Sequence, residues 1–90
     1  MKKVYIVTRL VKDEPTDDWR LLENDVPGAI EVFTKLHQAN ILVSTIAQDL
    51  KLCGWQEYVF QQIQNVREWH ELLFGKKRIA LVIFEKEIDL

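Results

Sequence analysis

The chain has 90 residues, 48% of them hydrophobic, with a formal charge of −2 and a sequence pI near 5.6. This length predicts a single domain, residues 1–90, with a modest core. The mixed charge argues against nucleic-acid binding, and no apolar run approaches the roughly 20 residues that cross a bilayer. Cys53 is the single cysteine, and no signal peptide is visible, so we expect a cytoplasmic protein.

The amino-terminal part of the chain predicts a strand followed by a polar connection. Residues 3–11 (KVYIVTRLV) are β-branched and aromatic on both faces, which indicates a central strand. Residues 12–18 (KDEPTDD) are acidic and broken by Pro15, and they predict a loop or hairpin connection. Residues 19–23 (WRLLE) fit either a strand that pairs back on the first or one helical turn capped by Thr16.

The next segment predicts a helix followed by a strand. Asp25 can cap the helix and Pro27 suits its first turn. One side of this helix would carry the residues that recur at helical spacing, namely Ala29, Ile30, Phe33, Leu36 and His37. Asn40 is expected to end this helix, and residues 41–47 (ILVSTIA) read as a strand because they are β-branched and short. Gly54 marks the end of the following turn.

Residues 55–74 allow two interpretations. One long helix would gather several apolar residues on one face, but Gln62 would interrupt that face and Phe60 would point to solvent. The preferred alternative makes residues 57–63 (EYVFQQI) a strand. A helix over residues 66–74 then starts at a capping box formed by Asn65 and Glu68, and Gly75 ends it.

Residues 79–84 (IALVIF) predict another interior strand. The resulting order of elements is typical of an α+β, ferredoxin-like sandwich, with one mostly antiparallel sheet and two helices on one face. The other face of such a sheet is bare. Because the first and last strands are apolar on both sides, we expect a homodimer or a partner protein to cover that face.

The segment from residue 24 to 48 resembles the ACT domain family. The matching residues are Asp25, Pro27 and Gly28, followed by Ala39-Asn40-Ile41. This resemblance implies a paired regulatory domain that binds a small effector, often an amino acid, near the Pro-Gly turn. The effector-binding residues would be Asn24, Asp25, Gly28, Ala29 and Asn40. Backbone N–H groups at a helix start suit a carboxylate.

A second class of function is a small protein-binding inhibitor or accessory protein, for instance one related to phages or to defence. Glu14, Asp17 and Asp18 form an acidic loop that could dock a basic partner, and Trp19 beside them could anchor an interface. The sequence contains no recognisable catalytic set, metal-ligand spacing or cofactor motif. We therefore expect a non-catalytic protein without a metal or cofactor.

Overall fold

The computed structural model describes residues 2–22, 30–63 and 66–88. Within these residues, six strands form one antiparallel sheet and a single helix packs on one face. The elements in chain order are β1 (Lys2–Lys12), β2 (Arg20–Leu21), β3 (Ile30–Phe33), α1 (Leu36–Leu52), β4 (Gln56–Ile63), β5 (Val66–Phe74) and β6 (Lys77–Ile88). The predicted ferredoxin-like sandwich with two helices is therefore wrong, whereas an α+β fold built on an antiparallel sheet is confirmed.

The strand predicted over residues 3–11 is confirmed as β1, which lies inside the sheet. The order of strands is β2-β1-β6-β5-β4, and β3 also pairs with β1. β1 pairs with β6 along its full length, and its other edge is shared by β2 and β3. A strand paired on both edges and packed on both faces needs apolar residues throughout, which explains the sequence of β1.

The hydrophobic core lies between α1 and the sheet. Because side chains alternate along a strand, the odd-numbered residues of β1 and β6 face α1. The buried members of this cluster are Val7, Ala39, Val43, Ala47, Leu72, Ile79, Leu81 and Ile83. Fully burying an aliphatic side chain of this kind contributes about 1.5–3 kcal/mol. We call the opposite side of the sheet, which carries the even-numbered residues of β1 and β6, the open face.

α1 occupies a different stretch from the helix that the sequence predicts. Ile30–Phe33 is strand β3, and the helix runs through Asn40 and through the segment predicted as a strand, residues 41–47. Ala39, Val43 and Ala47, spaced four residues apart, form the buried stripe of α1. Burial of this stripe against the sheet outweighs the β propensity of its isoleucine, valine and threonine residues.

The carboxyl end of α1 closes in a Schellman motif. The N–H of Gly54 donates to the carbonyl of Lys51 at 3.1 Å, and the N–H of Trp55 donates to the carbonyl of Leu50 at 3.0 Å. Gly54 has φ = 101°, a conformation that strongly favours glycine. The sequence predicted that Gly54 ends a turn over residues 48–54, but residues 48–52 belong to α1 and the turn consists of Cys53 and Gly54. Among the described residues, no helix is long and apolar enough to cross a membrane.

The strand predicted over residues 57–63 is confirmed as β4, but the helix predicted over residues 66–74 is wrong. That segment is β5, which pairs with β4 on one side and β6 on the other. Asn65, the proposed cap, lies outside the described residues. Gly75 does not end a helix; it has φ = 60° in the two-residue turn that joins β5 to β6. The single long helix is excluded as well.

The connection between β1 and β2 is a hairpin, as one of the two alternatives predicted. Leu10 pairs with Leu21 and Val11 pairs with Arg20, so residues 20–21 return along the edge of β1 as a strand. The strand interpretation of residues 19–23 is confirmed for this part, and Glu23 lies outside the described residues. The strand predicted over residues 79–84 is confirmed inside β6.

Candidate protein-binding face

The open face carries a row of apolar side chains on three neighbouring strands. Ile6 of β1 lies directly opposite Val32 of β3 and Phe84 of β6. Residues that face each other across an antiparallel pair share one side of the sheet. Val32 is 60% exposed, while Ile6 and Phe84 are partly exposed. We call Val32, Ile6 and Phe84 the apolar row.

Two tryptophans lie beside this row. The rings of Trp19 and Trp69 meet edge to face, with 5.5 Å between centroids and an interplanar angle of 81°. Trp69 is the cross-strand neighbour of Val82, so the pair stands over the middle of the open face. Trp69 Nε1 also donates to Glu71 Oε1 at 3.0 Å. Three residues of this face are buried, namely Thr8, Ala80 and Val82, and Val82 is the one opposite Trp69.

Trp19 is held at the end of a folded acidic loop. The backbone N–H of Glu14 donates to Asp17 Oδ2 at 3.0 Å, and the N–H of Asp17 donates to the carbonyl of Glu14 at 3.0 Å. The backbone bond closes a four-residue β-turn over residues 14–17, and the side-chain bond reinforces it. The loop therefore brings Glu14 and Asp17 together and leaves Asp18 exposed beside half-buried Trp19.

Two acidic residues of the segment from residue 12 to 18 have cationic neighbours. Asp13 pairs with Arg20 at 3.1 Å, and Glu14 lies 3.9 Å from Lys76 Nζ in the β5–β6 turn. Lys12 Nζ lies 4.5 Å from the centroid of the Trp19 ring. Exposed ion pairs of this kind contribute little to stability, but they reduce the local field that would attract a basic partner.

Of the residues predicted to bind an effector, the structure describes only Asn40. Asn24, Asp25, Gly28 and Ala29 lie outside the described residues. Asn40 is half-buried inside α1 instead of ending it, on the opposite side of the sheet from the open face.

The amide of Asn40 faces the core side of β5. With its nitrogen turned toward β5, it donates to the two carboxylate oxygens of Glu68 at 3.1 and 3.0 Å. Glu68 was expected to complete a capping box, and it holds α1 against β5 instead. The nearest described helix start is Leu36, preceded by Lys35 without a side-chain cap.

A small ionic cluster joins the end of α1 to β4 and β5. The carboxylate of Glu57 pairs with the ammonium group of Lys51 and lies 3.4 Å from His70 Nε2. The hydrogen bond and charge of Lys51 hold the pKa of Glu57 below its ordinary value, and His70 adds a smaller effect in the same direction. In the described part of the chain, no group of three or more His, Cys, Asp or Glu side chains could hold a metal ion.

We expect Glu57→Gln to reduce stability at neutral pH and to lose this effect in acid. A carboxylate whose pKa is lower in the folded state stabilises the fold above its unfolded-state pKa, and this contribution disappears as the pH falls through the folded-state pKa. Thermal unfolding of the wild type and the variant between neutral pH and about pH 3 should show the two curves converging. A difference that stays constant over this range would contradict the role of Glu57.

No protein-family model, curated protein or solved structure matches this chain. The candidate site therefore depends on the geometry alone. Sequence reasoning identified Trp19 and an apolar bare face but missed the apolar row and the role of Trp69. The signal for Ile6 and Phe84 was present, because their strands are apolar on both faces. Val32 was missed because residues 30–33 were interpreted as helix.

Proposed function

We propose that this chain is a non-catalytic protein-binding module whose recognition surface is the open face of its sheet. The observation that carries this proposal is the apolar row, which lies on the face that no helix of the described residues covers and includes Val32 with 60% of its surface exposed. Contiguous apolar surface that the fold itself leaves uncovered commonly marks a site of protein association.

The composition of the face supports a protein partner. Aromatic side chains near the centre of an interface supply much of its binding energy, and the Trp19–Trp69 pair lies next to the apolar row. Charged residues of the acidic loop border the pair and would form a polar rim. Because Asp13 and Glu14 lie within ion-pair distance of Arg20 and Lys76, we expect the partner surface to be mainly apolar.

Sensing of a small effector is the alternative that the ACT resemblance implies. It draws no support from the described residues. The amide of Asn40 is directed at Glu68, and a strand and the Leu36 helix start follow the Pro-Gly segment. The protein-binding function is the better supported of the two.

A matched pair of lysine variants tests the proposal. Val32 on the open face and Ile41 on α1 are equally exposed, at 60% and 61%. Both Val32→Lys and Ile41→Lys should therefore leave the fold intact by circular dichroism. Val32→Lys places a charge that must be desolvated on binding, and we expect it to weaken capture of the partner from lysate of the source cells by about tenfold or more.

Ile41→Lys is the control, and capture by this variant should match that of the wild type. Equal capture by the wild type and both variants would exclude the apolar row as the recognition surface. Loss of capture with Ile41→Lys alone would move the recognition surface to the outer side of α1.

A further inference from the structure

The outer edge of β4 is the longest strand edge left unpaired in the described part of the chain. β4 pairs with β5 on one side, and none of the described strands pairs with its other side over Gln56–Ile63. The opposite edge of the sheet is divided between β2, with two residues, and β3, with four. Free backbone N–H and C=O groups along a strand of eight residues can receive another strand.

β4 has few of the features that protect edge strands from pairing. Its sequence, QEYVFQQI, contains no proline and no lysine, and Glu57 is its only charged residue. That carboxylate is already paired with Lys51. One protective feature is present, because the pairing with β5 shifts register twice, between Glu57 and Val59 and between Gln61 and Ile63. The register is regular between these two points, from Val59 to Gln61.

Exposed apolar side chains flank the start of β4. Leu52 is 83% exposed, Tyr58 is 55% exposed and Phe74 is 50% exposed. The ring of Trp55 lies 5.7 Å from that of Phe74. Half of the large hydrophobic side chains that the described residues leave exposed are therefore at this end of one edge. An edge with this composition has apolar surface to bury as well as hydrogen bonds to form.

We propose that β4 pairs in antiparallel fashion with β4 of a second copy of this chain. An antiparallel edge is complementary to itself, because a two-fold axis between the two strands gives each copy the same contacts. Such a contact gives a closed dimer, because it uses the β4 edge of both copies. Pairing of β4 with the β2–β3 edge of another copy would be shorter and would leave free edges to which further copies could add. Two β4 edges also meet without strong repulsion, since Lys51 neutralises the charge of Glu57.

This pairing has a consequence for the open face. The two-fold axis that relates antiparallel neighbours is perpendicular to the sheet, so both copies of α1 lie on one side and both open faces on the other. The dimer then presents two apolar rows side by side, and a partner with two sites would be bound more tightly through effective concentration. The pairing itself does not depend on the proposed function, because β4 and the apolar row are on different strands.

Sedimentation equilibrium of the full chain tests the pairing, with Tyr58→Lys as the disrupting variant. We expect the wild type to be a dimer at high micromolar concentration. Tyr58→Lys adds to the edge the residue type that natural edge strands use against pairing, and we expect this variant to be a monomer. Val32→Lys and Ile41→Lys should remain dimers. A monomeric wild type would overturn the proposal, as would open-ended assemblies or a dimer that Tyr58→Lys leaves intact.

Hydrogen exchange of the unmodified protein gives a second readout that does not depend on a variant. On dilution from the dimer to the monomer, amides of residues 56–63 should lose protection while those of β1 keep theirs. A dimer whose β4 amides exchange at the same rate at both concentrations would contradict edge pairing. The two proposals can fail independently. A Val32→Lys variant that loses partner capture but remains a dimer would support recognition by the open face without affecting the test of the β4 edge.

Discussion

Leu81→Ala is expected to lower the free energy of unfolding by about 3 kcal/mol. Leu81 has no exposed surface and lies in the central strand β6, facing α1. Its neighbours across the sheet are Arg9 on β1 and His70 on β5. Removing a buried leucine side chain loses its transfer free energy and leaves a cavity that strands held on both sides cannot close. In a domain of this size the loss is a large part of the total stability.

Urea unfolding measures this loss, and Ile41→Ala is the matched control. Ile41 loses the same number of carbon atoms on truncation but is 61% exposed on α1, so its change should stay within about 0.5 kcal/mol. The midpoint of Leu81→Ala should fall with little change in slope. Similar losses for the two variants would contradict the placement of Leu81 in the core and Ile41 on the surface.

Ser44→Pro is expected to cost about 3 kcal/mol or more. Ser44 is exposed and lies in the middle of α1, so its side chain contributes little to the core. Proline at this position removes the hydrogen bond to the carbonyl of Asn40 and its ring collides with that carbonyl. We expect loss of helical signal in far-ultraviolet circular dichroism together with the loss of stability.

His37→Pro is the control for this prediction, and we expect it to cost less than about 1 kcal/mol. His37 is exposed and is the second residue of α1, where the N–H has no carbonyl of the helix to bind. The sequence interpretation, with a helix through residue 37 and a strand over residues 41–47, predicts that His37→Pro would break a helix. A larger loss for His37→Pro than for Ser44→Pro would therefore contradict the observed position of α1.

The strands that the sequence predicted correctly are β1, β4 and β6, along with the β2 alternative. β1 and β6 lie inside the sheet with apolar residues on both faces, so local composition and environment agree. β4 lies at the edge of the sheet, and its β-branched and aromatic residues were the signal that predicted it. The presence of a bare apolar face was also predicted from strands that are apolar on both sides.

α1 and β5 could not be assigned from local pattern, because each carries the signal of the other type of element. Residues 41–47 have high β propensity, and only the spacing of Ala39, Val43 and Ala47 shows which side is buried. Val66, Trp69 and Leu73 match a helical face, yet β5 alternates, with Leu72 toward α1 and Trp69 toward the open face. Residues 66–74 form a strand because they pair with β6, and that pairing depends on the whole fold and not on the local sequence.

The same limit applied to the candidate site. Trp19 was identified as an interface residue because of its size, but its contact with Trp69 depends on a hairpin and a strand that are 50 residues apart in the sequence. Val32 enters the apolar row only because β3 pairs with β1 opposite Ile6. Residue types therefore predicted an uncovered apolar surface, and strand pairing determined where the apolar row lies.

The most direct test of the proposed binding face is site-specific photo-crosslinking from the two sides of the fold in the source cells. A photoreactive side chain at position 32 reports on the open face, and one at position 41 reports on the outer side of α1, with equal exposure at both positions. We predict a discrete cross-linked protein from position 32 and none from position 41. Discrete products from position 41, with none from position 32, would contradict the assignment of recognition to the open face.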